Sequence, residues 1–358
     1  MTSSAMLAEI HEIPGIVRRL LVDGADETAR VAAAVRAARP GVIVIAARGT
    51  SDHAAVYARY LLESHLRLPV VLAAGSLATI YGRSMDWRGA LVLGISQSGT
   101  GPDVGAVLEA ARRDGALTIA ITNEPGSALA RVAEHTLACR AGVERAVAAT
   151  KTYVAELAVV ATLVAELTRR EPDATGDDLA GAMPTLPDVL ARVVDASDAW
   201  LARDDTLVAA LAGSDRALVV SRGYDYATAL EIALKLKETG RIFAEGYSAA
   251  DLLHGPLTLA EPDVPMLVFR PDGRMGRAID GAIDRARGIG ADPWIVGGRD
   301  LGADSTGPHA VGLPVDLPEA LTPLAFALPG QLVAEAVARR RGMDPDAPPG
   351  LTKITRTL

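Results

Sequence analysis

The sequence is poor in cysteine, in aromatic residues and in clustered positive charge. Its one cysteine, Cys139, can form no internal disulfide and cannot alone build a zinc site. Aromatic residues make up only 4% of the 358 residues, so a core must come from Ala, Val, Leu and Ile. That suits Ala-rich helices packed on aliphatic strands. Lys and Arg number 36 against 44 Asp and Glu, giving a net charge of -8, and no block of basic residues stands out. A clustered basic face for nucleic acid is therefore not expected. The acidity serves solubility, and an anionic ligand must be held by local groups. The start, Met1-Thr2-Ser3-Ser4, has no basic segment leading into a long apolar run, so no signal peptide is expected. The apolar stretch from Ala155 to Leu167 is broken by Glu156 and Glu166. A membrane helix needs about 20 nearly uncharged residues, so no membrane span and a cytoplasmic location are expected.

What is present is an α/β rhythm. Hydrophobic residues are 49% and charged residues 22%, and the length allows two domains with real cores. Val42-Ile43-Val44-Ile45, Leu91-Val92-Leu93-Gly94-Ile95 and Leu117-Thr118-Ile119-Ala120-Ile121 read as strands buried on both faces. Helical patterns from about Asp52 to Ser64 and from Pro102 to Arg113 alternate with them, which implies a parallel sheet. The second half repeats the first. Arg48-Gly49 corresponds to Arg222-Gly223, and Leu91 to Ile95 falls on Pro265 to Phe269. Gly115-Ala116 falls near Gly290-Ala291, ahead of Trp294-Ile295-Val296. Two copies of one α/β unit account for this, although a general α/β rhythm imitates part of it. A polar, Pro-containing stretch from Arg169 to Leu186, leading into a connecting helix from Asp188 to Leu211, marks a boundary.

Ser96-Gln97-Ser98-Gly99-Thr100 lies between a strand and a helix. Gly99 and Gly101 permit close backbone approach, and Pro102 fits a first helical turn. Free amides, the helix dipole and the hydroxyls favour an anion there, so the loop reads as a phosphate-binding loop. An ordinary turn with capping serines would use the same residues. The equivalent loop of the second half, Arg270-Pro271-Asp272-Gly273, lacks the hydroxyls, which implies one anion site per chain. No Gly-x-x-x-x-Gly-Lys and no Gly-x-Gly-x-x-Gly after a strand is present. Thr50-Ser51 follows another strand end, the edge where parallel sheets gather ligands.

Glu231, Lys235 and Glu238 are spaced i, i+4, i+7, so one helical face carries all three. A solvated stripe of ion pairs would look alike. The apolar setting from Ala227 to Leu236 argues for burial, and carboxylates buried beside a lysine are candidates for tuned acid–base groups. The strand-end motif Ser221-Arg222-Gly223-Tyr224 should set the first turn of this helix near the sheet edge. His254, followed by Gly255-Pro256, sits on a turn that could present its ring to a cleft, although a lone His is more often structural. Lys353 lies in a terminal segment that turns apolar again after Pro348-Pro349, as a docking tail would.

Taken together, Gly49-Thr50-Ser51, Ser96-Gln97-Ser98-Gly99, Ala149-Thr150-Lys151, the run Ala229 to Glu238, His254-Gly255-Pro256 and Leu351-Thr352-Lys353 carry a resemblance. The chain resembles the sugar isomerase (SIS) family, specifically the isomerase half of glutamine–fructose-6-phosphate aminotransferase and its stand-alone deaminase-like relatives. The resemblance covers nearly the whole chain. It implies two tandem SIS units of flavodoxin-like, three-layer α/β architecture. A helical segment over 1–40, a first unit over 41–168, a linker and helix over 169–212, a second unit over 213–342 and a tail over 343–358 follow from it. It implies that Thr50, Ser51, Ser96, Gln97, Ser98 and Thr100 hold a sugar phosphate, with Val147 and Ala149 also at the substrate. Glu238 would move a proton between C1 and C2 of the open-chain sugar. His254 would assist ring opening from the neighbouring subunit of a homodimer. Lys353 would open the ring or engage the ketose carbonyl, and Glu231 and Lys235 would support the site. No metal or organic cofactor is implied.

Three positions depart from the aminotransferase pattern. Gly99-Thr100-Gly101 replaces Gly-Glu-Thr, Ala149 stands in place of Ser, and Arg48 replaces a small residue before Gly49. Only a short helical segment, about Met6 to Ala38, precedes the first strand, too little for a glutaminase domain. The expected reaction is therefore the deamination of glucosamine 6-phosphate. Amine release from a fructosamine 6-phosphate, or another sugar-phosphate isomerisation, is the alternative. A non-catalytic sugar-phosphate sensor is a third reading, against which the intact Glu238, His254 and Lys353 argue.

Overall fold

The structure is a computed structural model that describes residues 4–83, 85–169, 178–301 and 309–353. Residues 170–177 of the expected linker and 354–358 of the expected tail lie outside the described residues, as do Met1, Thr2 and Ser3. The chain forms two compact units. Among the described residues, the amino-terminal unit takes 15–144, 151–184, Thr352 and Lys353; the carboxy-terminal unit takes 4–14, 145–150 and 185–351.

The amino-terminal unit is built on five parallel strands, β1 (Val42–Ala46), β2 (Val70–Leu72), β3 (Ala90–Ile95), β4 (Leu117–Thr122) and β5 (His135–Ala138), in the order β2-β1-β3-β4-β5. Alternate residues face opposite sides of a strand. Val44, Ala46, Val92 and Ala120 accordingly pack on Val104, Val107, Leu108 and Ala111 of the helix Pro102–Arg113. The helices Thr50–Leu66 and Lys151–Thr168 pack together in the same unit, and both touch strands of this sheet. Strands covered on both faces can be continuously apolar, which is why β3 is buried at all six positions.

The carboxy-terminal unit repeats the plan with β6 (Arg216–Ser221), β7 (Phe243–Ser248), β8 (Met266–Arg270), β9 (Trp294–Gly297) and β10 (Ala310–Gly312), in the order β10-β9-β8-β6-β7. Numbered within each unit, both sheets have the flavodoxin-like order 2-1-3-4-5. One face carries Leu218, Val220, Met266 and Val268 onto Ile279, Ala282 and Ile283 of the helix Arg274–Gly288. On the other side the helices Tyr226–Gly240 and Thr322–Arg340 pack closely. Gly330 permits this, because a Cβ there would lie 2.5 Å from Ile232 Cδ1 and 3.0 Å from Phe269 Cζ.

The expected connecting helix from Asp188 to Leu211 is two helices, Leu186–Arg203 and Thr206–Ala212. The break is local chemistry: Asp204 is extended, and its Oδ1 accepts the Thr206 amide at 3.0 Å, replacing a helical hydrogen bond. One helical stretch among the described residues, Glu319–Arg340, is long and apolar enough to cross a membrane, and most of it is buried in the protein.

Candidate active site

In the amino-terminal unit, β1 and β3 are neighbours although β2 lies between them in the chain. Parallel sheets bind ligands beyond the carboxyl ends of such a pair, where connections leave in opposite directions. Ala46 pairs with Gly94, so Arg48-Gly49-Thr50 and Ser96-Gln97-Ser98 both leave at this edge. Gly49 has φ +58° and Gly99 φ +60°, a region where side chains are strained.

The Ser96–Thr100 loop is internally braced. The Gly99 amide donates to Ser96 Oγ at 3.2 Å, Ser98 Oγ lies 2.8 Å from Thr100 Oγ1, and the Asn123 amide donates to the Gln97 carbonyl at 3.1 Å. Gly99 is required sterically as well: a Cβ there would overlap Ser127 Oγ and Cβ and come within 3.0 Å of Thr122 Oγ1. Among the described residues, no partner takes the amides of Gln97 and Ser98. Ser96, Gln97 and Ser98 are half-buried and Thr100 is exposed. The loop thus offers free amides and hydroxyls ahead of the 12-residue helix Pro102–Arg113.

Thr50 and Ser51 open the next helix, but Ser51 is buried and its hydroxyl donates to the buried Glu156 carboxylate at 2.8 Å. As described, that bond occupies the hydroxyl assigned to phosphate. Glu156 was not foreseen at all. Lys353 Nζ donates to Glu144 Oε2 at 2.6 Å, and Glu144 also accepts from the Thr152 amide (3.1 Å) and hydroxyl (2.7 Å). Glu144 sits on a loop without a motif and was likewise missed.

The carboxy-terminal unit holds the helix that carries Glu231, Lys235 and Glu238. Lys235 Nζ lies 3.3 Å from Glu231 Oε1 and 2.5 Å from Glu238 Oε2. The side chains of Glu231 and Lys235 are fully buried, whereas Glu238 keeps 23% exposure. Burial lowers the Lys235 pKa, but the two carboxylates more than offset this, so it stands above the ordinary lysine value. The lysine therefore stays charged, and Glu238 is the member of the trio open to a ligand. The first turn, at Tyr226, lies near the carboxyl edge of β6 as expected. At about 1.5 Å per residue, Glu238 lies roughly 18 Å further along the helix.

His254, Val147 and Ala149 are the remaining expected residues. His254 is exposed, and among the described residues nothing hydrogen-bonds its ring. Val147 and Ala149 are half-buried on a segment fixed by its backbone. Val147 N donates to Asp346 O at 2.9 Å, and Glu9 accepts the amides of Arg145 and Ala146. Among the described residues, no group of three or more His, Cys, Asp or Glu side chains is placed to hold a metal ion.

In the second copy the matching helix start is already occupied. Gly273 matches Gly99 in the repeat and also has positive φ, +86°. The amide that would meet an anion there, Met275 N, instead donates to Glu319 Oε1 at 2.7 Å. The protein's own carboxylate fills the helix start. Beside it, burial pushes the Asp225 carboxyl up to about 8; the Thr322 and Thr228 hydroxyls pull it down, and nearby Glu319 pushes it up further.

Comparison with known proteins agrees with this geometry. The SIS domain model matches residues 38–166 and 210–299. The glutamine–fructose-6-phosphate aminotransferase [isomerizing] of Methanothermobacter thermautotrophicus is 36% identical over 354 residues, 97% of this chain and 56% of that protein. This chain therefore spans little more than half the length of that relative. A solved candidate phosphosugar isomerase from Silicibacter pomeroyi is 36% identical with TM-score 0.83, covering 96% of this chain and 100% of that one. The carboxy-terminal domain of glucosamine-fructose-6-phosphate aminotransferase from Francisella tularensis shares the fold, with TM-score 0.84 and 24% identity over 97% and 99% of the two chains. Two sheets of one strand order, each lying within a matched segment or overlapping it, make this chain a member of the SIS domain family.

Proposed function

We propose that the protein is an aldose–ketose isomerising enzyme of phosphorylated amino sugars that converts glucosamine 6-phosphate and water to fructose 6-phosphate and ammonia. The observation that carries this reading is the Glu231–Lys235–Glu238 trio, a buried, paired lysine that aims one partly open carboxylate. In the open-chain amino sugar, Glu238 takes the proton from C2 and returns it to C1. This leaves a ketose imine, which water hydrolyses to the ketose and ammonia. A positioned carboxylate of this kind contributes about 10²–10⁴-fold. The free amides and hydroxyls of the Ser96–Thr100 loop hold the phosphate, and Lys353 assists ring opening or the ketose carbonyl. His254, exposed and with no hydrogen bond to its ring among the described residues, suits a role toward a second copy of the chain in a homodimer. The relatives named above support the amino-sugar phosphate as substrate class.

The test is ammonia release from glucosamine 6-phosphate by the purified protein and by Glu238→Gln. Release by the first and its loss in the second is the expected result. No release, or no effect of Glu238→Gln, overturns the reading. The altered loop end Thr100-Gly101 and Ala149 favour one other substrate, a fructosamine 6-phosphate, and release of amine rather than ammonia would identify it.

A further inference from the structure

The Ser96–Gly101 loop contains no cationic side chain, and the chain as a whole is acidic. A phosphate dianion held there by amides, hydroxyls and a helix dipole alone would lack a full countercharge. One guanidinium lies at the same edge. Arg48 follows β1 by two residues, as Ser96 follows the paired Gly94 of β3, so the two stand level beyond the register Ala46–Gly94. Arg48 Nε lies 2.7 Å from Asp103 Oδ2, and Nη1 donates to the Ala47 carbonyl at 2.7 Å. Asp103, only 4% exposed in its side chain, belongs to the first turn of the helix that the loop opens. A slot has been made for the guanidinium: a Cβ on Gly75 would lie 2.7 Å from Nη2. Its side chain remains 45% exposed.

Arginine has five N–H donors in a fixed fork. Asp103 takes the Nε edge and Ala47 takes one Nη1 hydrogen. Among the described residues, nothing accepts from Nη2. A surface arginine pairing with an exposed carboxylate would swing freely; this one is anchored by a buried acid and keeps one end open. The second copy has lost the arrangement: Arg222 matches Arg48, but Arg277 stands where Asp103 would be, and Glu319 occupies the helix start.

We propose that Arg48, aimed by Asp103, is the cationic contact of the phosphate group held at the Ser96–Thr100 loop, its Nη2 end donating to phosphate oxygens. This rests on the phosphate-loop reading and deepens it. The role also gives a reason for an arginine where the aminotransferase pattern has a small residue.

The test is calorimetric titration of the full chain with inorganic phosphate and with glucosamine 6-phosphate, for wild type, Arg48→Ala, Arg48→Lys and Asp103→Asn. Arg48→Ala is expected to weaken both ligands at least about tenfold and to raise KM more than it lowers kcat. Arg48→Lys should recover part of the loss, because it restores charge without the fork. Asp103→Asn leaves the cation in place and should stay within about threefold of wild type. Arg48→Ala binding phosphate within about twofold of wild type overturns the proposal while leaving the loop reading intact. Equal losses in Arg48→Ala and Asp103→Asn, with matching drops in Tm, overturn it too, because the pair is then a clamp. If wild type binds neither ligand, the loop reading falls and takes Arg48 with it.

Discussion

Lys353 Nζ and Glu144 Oε2 are 2.6 Å apart, joining a residue near the end of the chain to a loop some two hundred positions earlier. The Glu144 side chain has no exposure while Lys353 retains 25%, so the carboxylate is the fixed partner and the ammonium the one that can reach outward. Glu144→Gln keeps the shape and removes the charge. It should lower kcat at least about tenfold while leaving the fold in place, because the lysine loses its anchor. Glu144→Ala also strips the Thr152 amide and hydroxyl of their acceptor and should cost about 2 kcal/mol, read by denaturant unfolding. If Glu144→Gln turns over like wild type, the pair only fastens the tail.

The legible parts of this protein are those whose physics is local. β1, β3, β4, β8 and β9 are aliphatic runs buried on both faces, and the sequence shows them directly. β2 and β10 have three residues each, too short for a pattern, and β5 and β7 mix His, Thr, Glu and Gly at sheet edges. The i, i+4, i+7 trio was visible because helix geometry alone makes Glu231, Lys235 and Glu238 neighbours. Glu144, Glu156 and Glu319 were not visible, because each acts on a residue some 40 to 210 positions away. Only the fold brings such partners together.

Lys235 is held between two carboxylates with its side chain fully buried. Lys235→Met leaves Glu231 buried without its cation and should cost about 3–5 kcal/mol. Adding Glu231→Leu should recover most of that stability, since a buried pair can be replaced by apolar residues, but not the activity. Denaturant unfolding together with the ammonia assay reads both. Because the folded pKa of Lys235 is raised, its contribution is complete below the ordinary value of 10.5 and is lost only as pH climbs through the higher folded value. In the wild type this contribution should therefore be the same at pH 6 and pH 9.

Asp225 gives the opposite behaviour within the working range. Its folded pKa is about 8 against an ordinary 3.8, chiefly through burial. A raised pKa means the folded state holds the proton more tightly. The associated stability is complete below 3.8 and is lost as pH rises through about 8. Asp225→Asn keeps hydrogen-bonding groups toward the Thr322 and Thr228 hydroxyls and has nothing to titrate. Its unfolding free energy should decline less than that of wild type between pH 5 and pH 9. Parallel curves for the two proteins would mean that Asp225 does not carry this dependence.

Gly99 is tightly constrained within the Ser96–Thr100 loop proposed to hold phosphate. Its φ of +60° strains any residue with a side chain, and the space a Cβ needs is taken by Ser127 and, at 3.0 Å, by Thr122 Oγ1. Ser127 cannot simply turn away, because its Cβ is one of the overlapping atoms and its Oγ caps the Ala128–Val132 helix at the Ala130 amide. The strain of Gly99→Ala must therefore pass into the loop, at a cost of about 1–3 kcal/mol. The Leu129 amide donates to the Gly99 carbonyl at 3.0 Å, so the movement also reaches the next helix. Phosphate affinity should drop at least about tenfold, because the free amides of Gln97 and Ser98 lose their common direction. Ser127→Gly added to Gly99→Ala removes the two nearest obstructing atoms but neither Thr122 Oγ1 nor the backbone strain, so it should restore only part of the affinity. Full restoration by Ser127→Gly would place the whole requirement for glycine in the collision. No restoration would place it in the positive φ and the Thr122 contact.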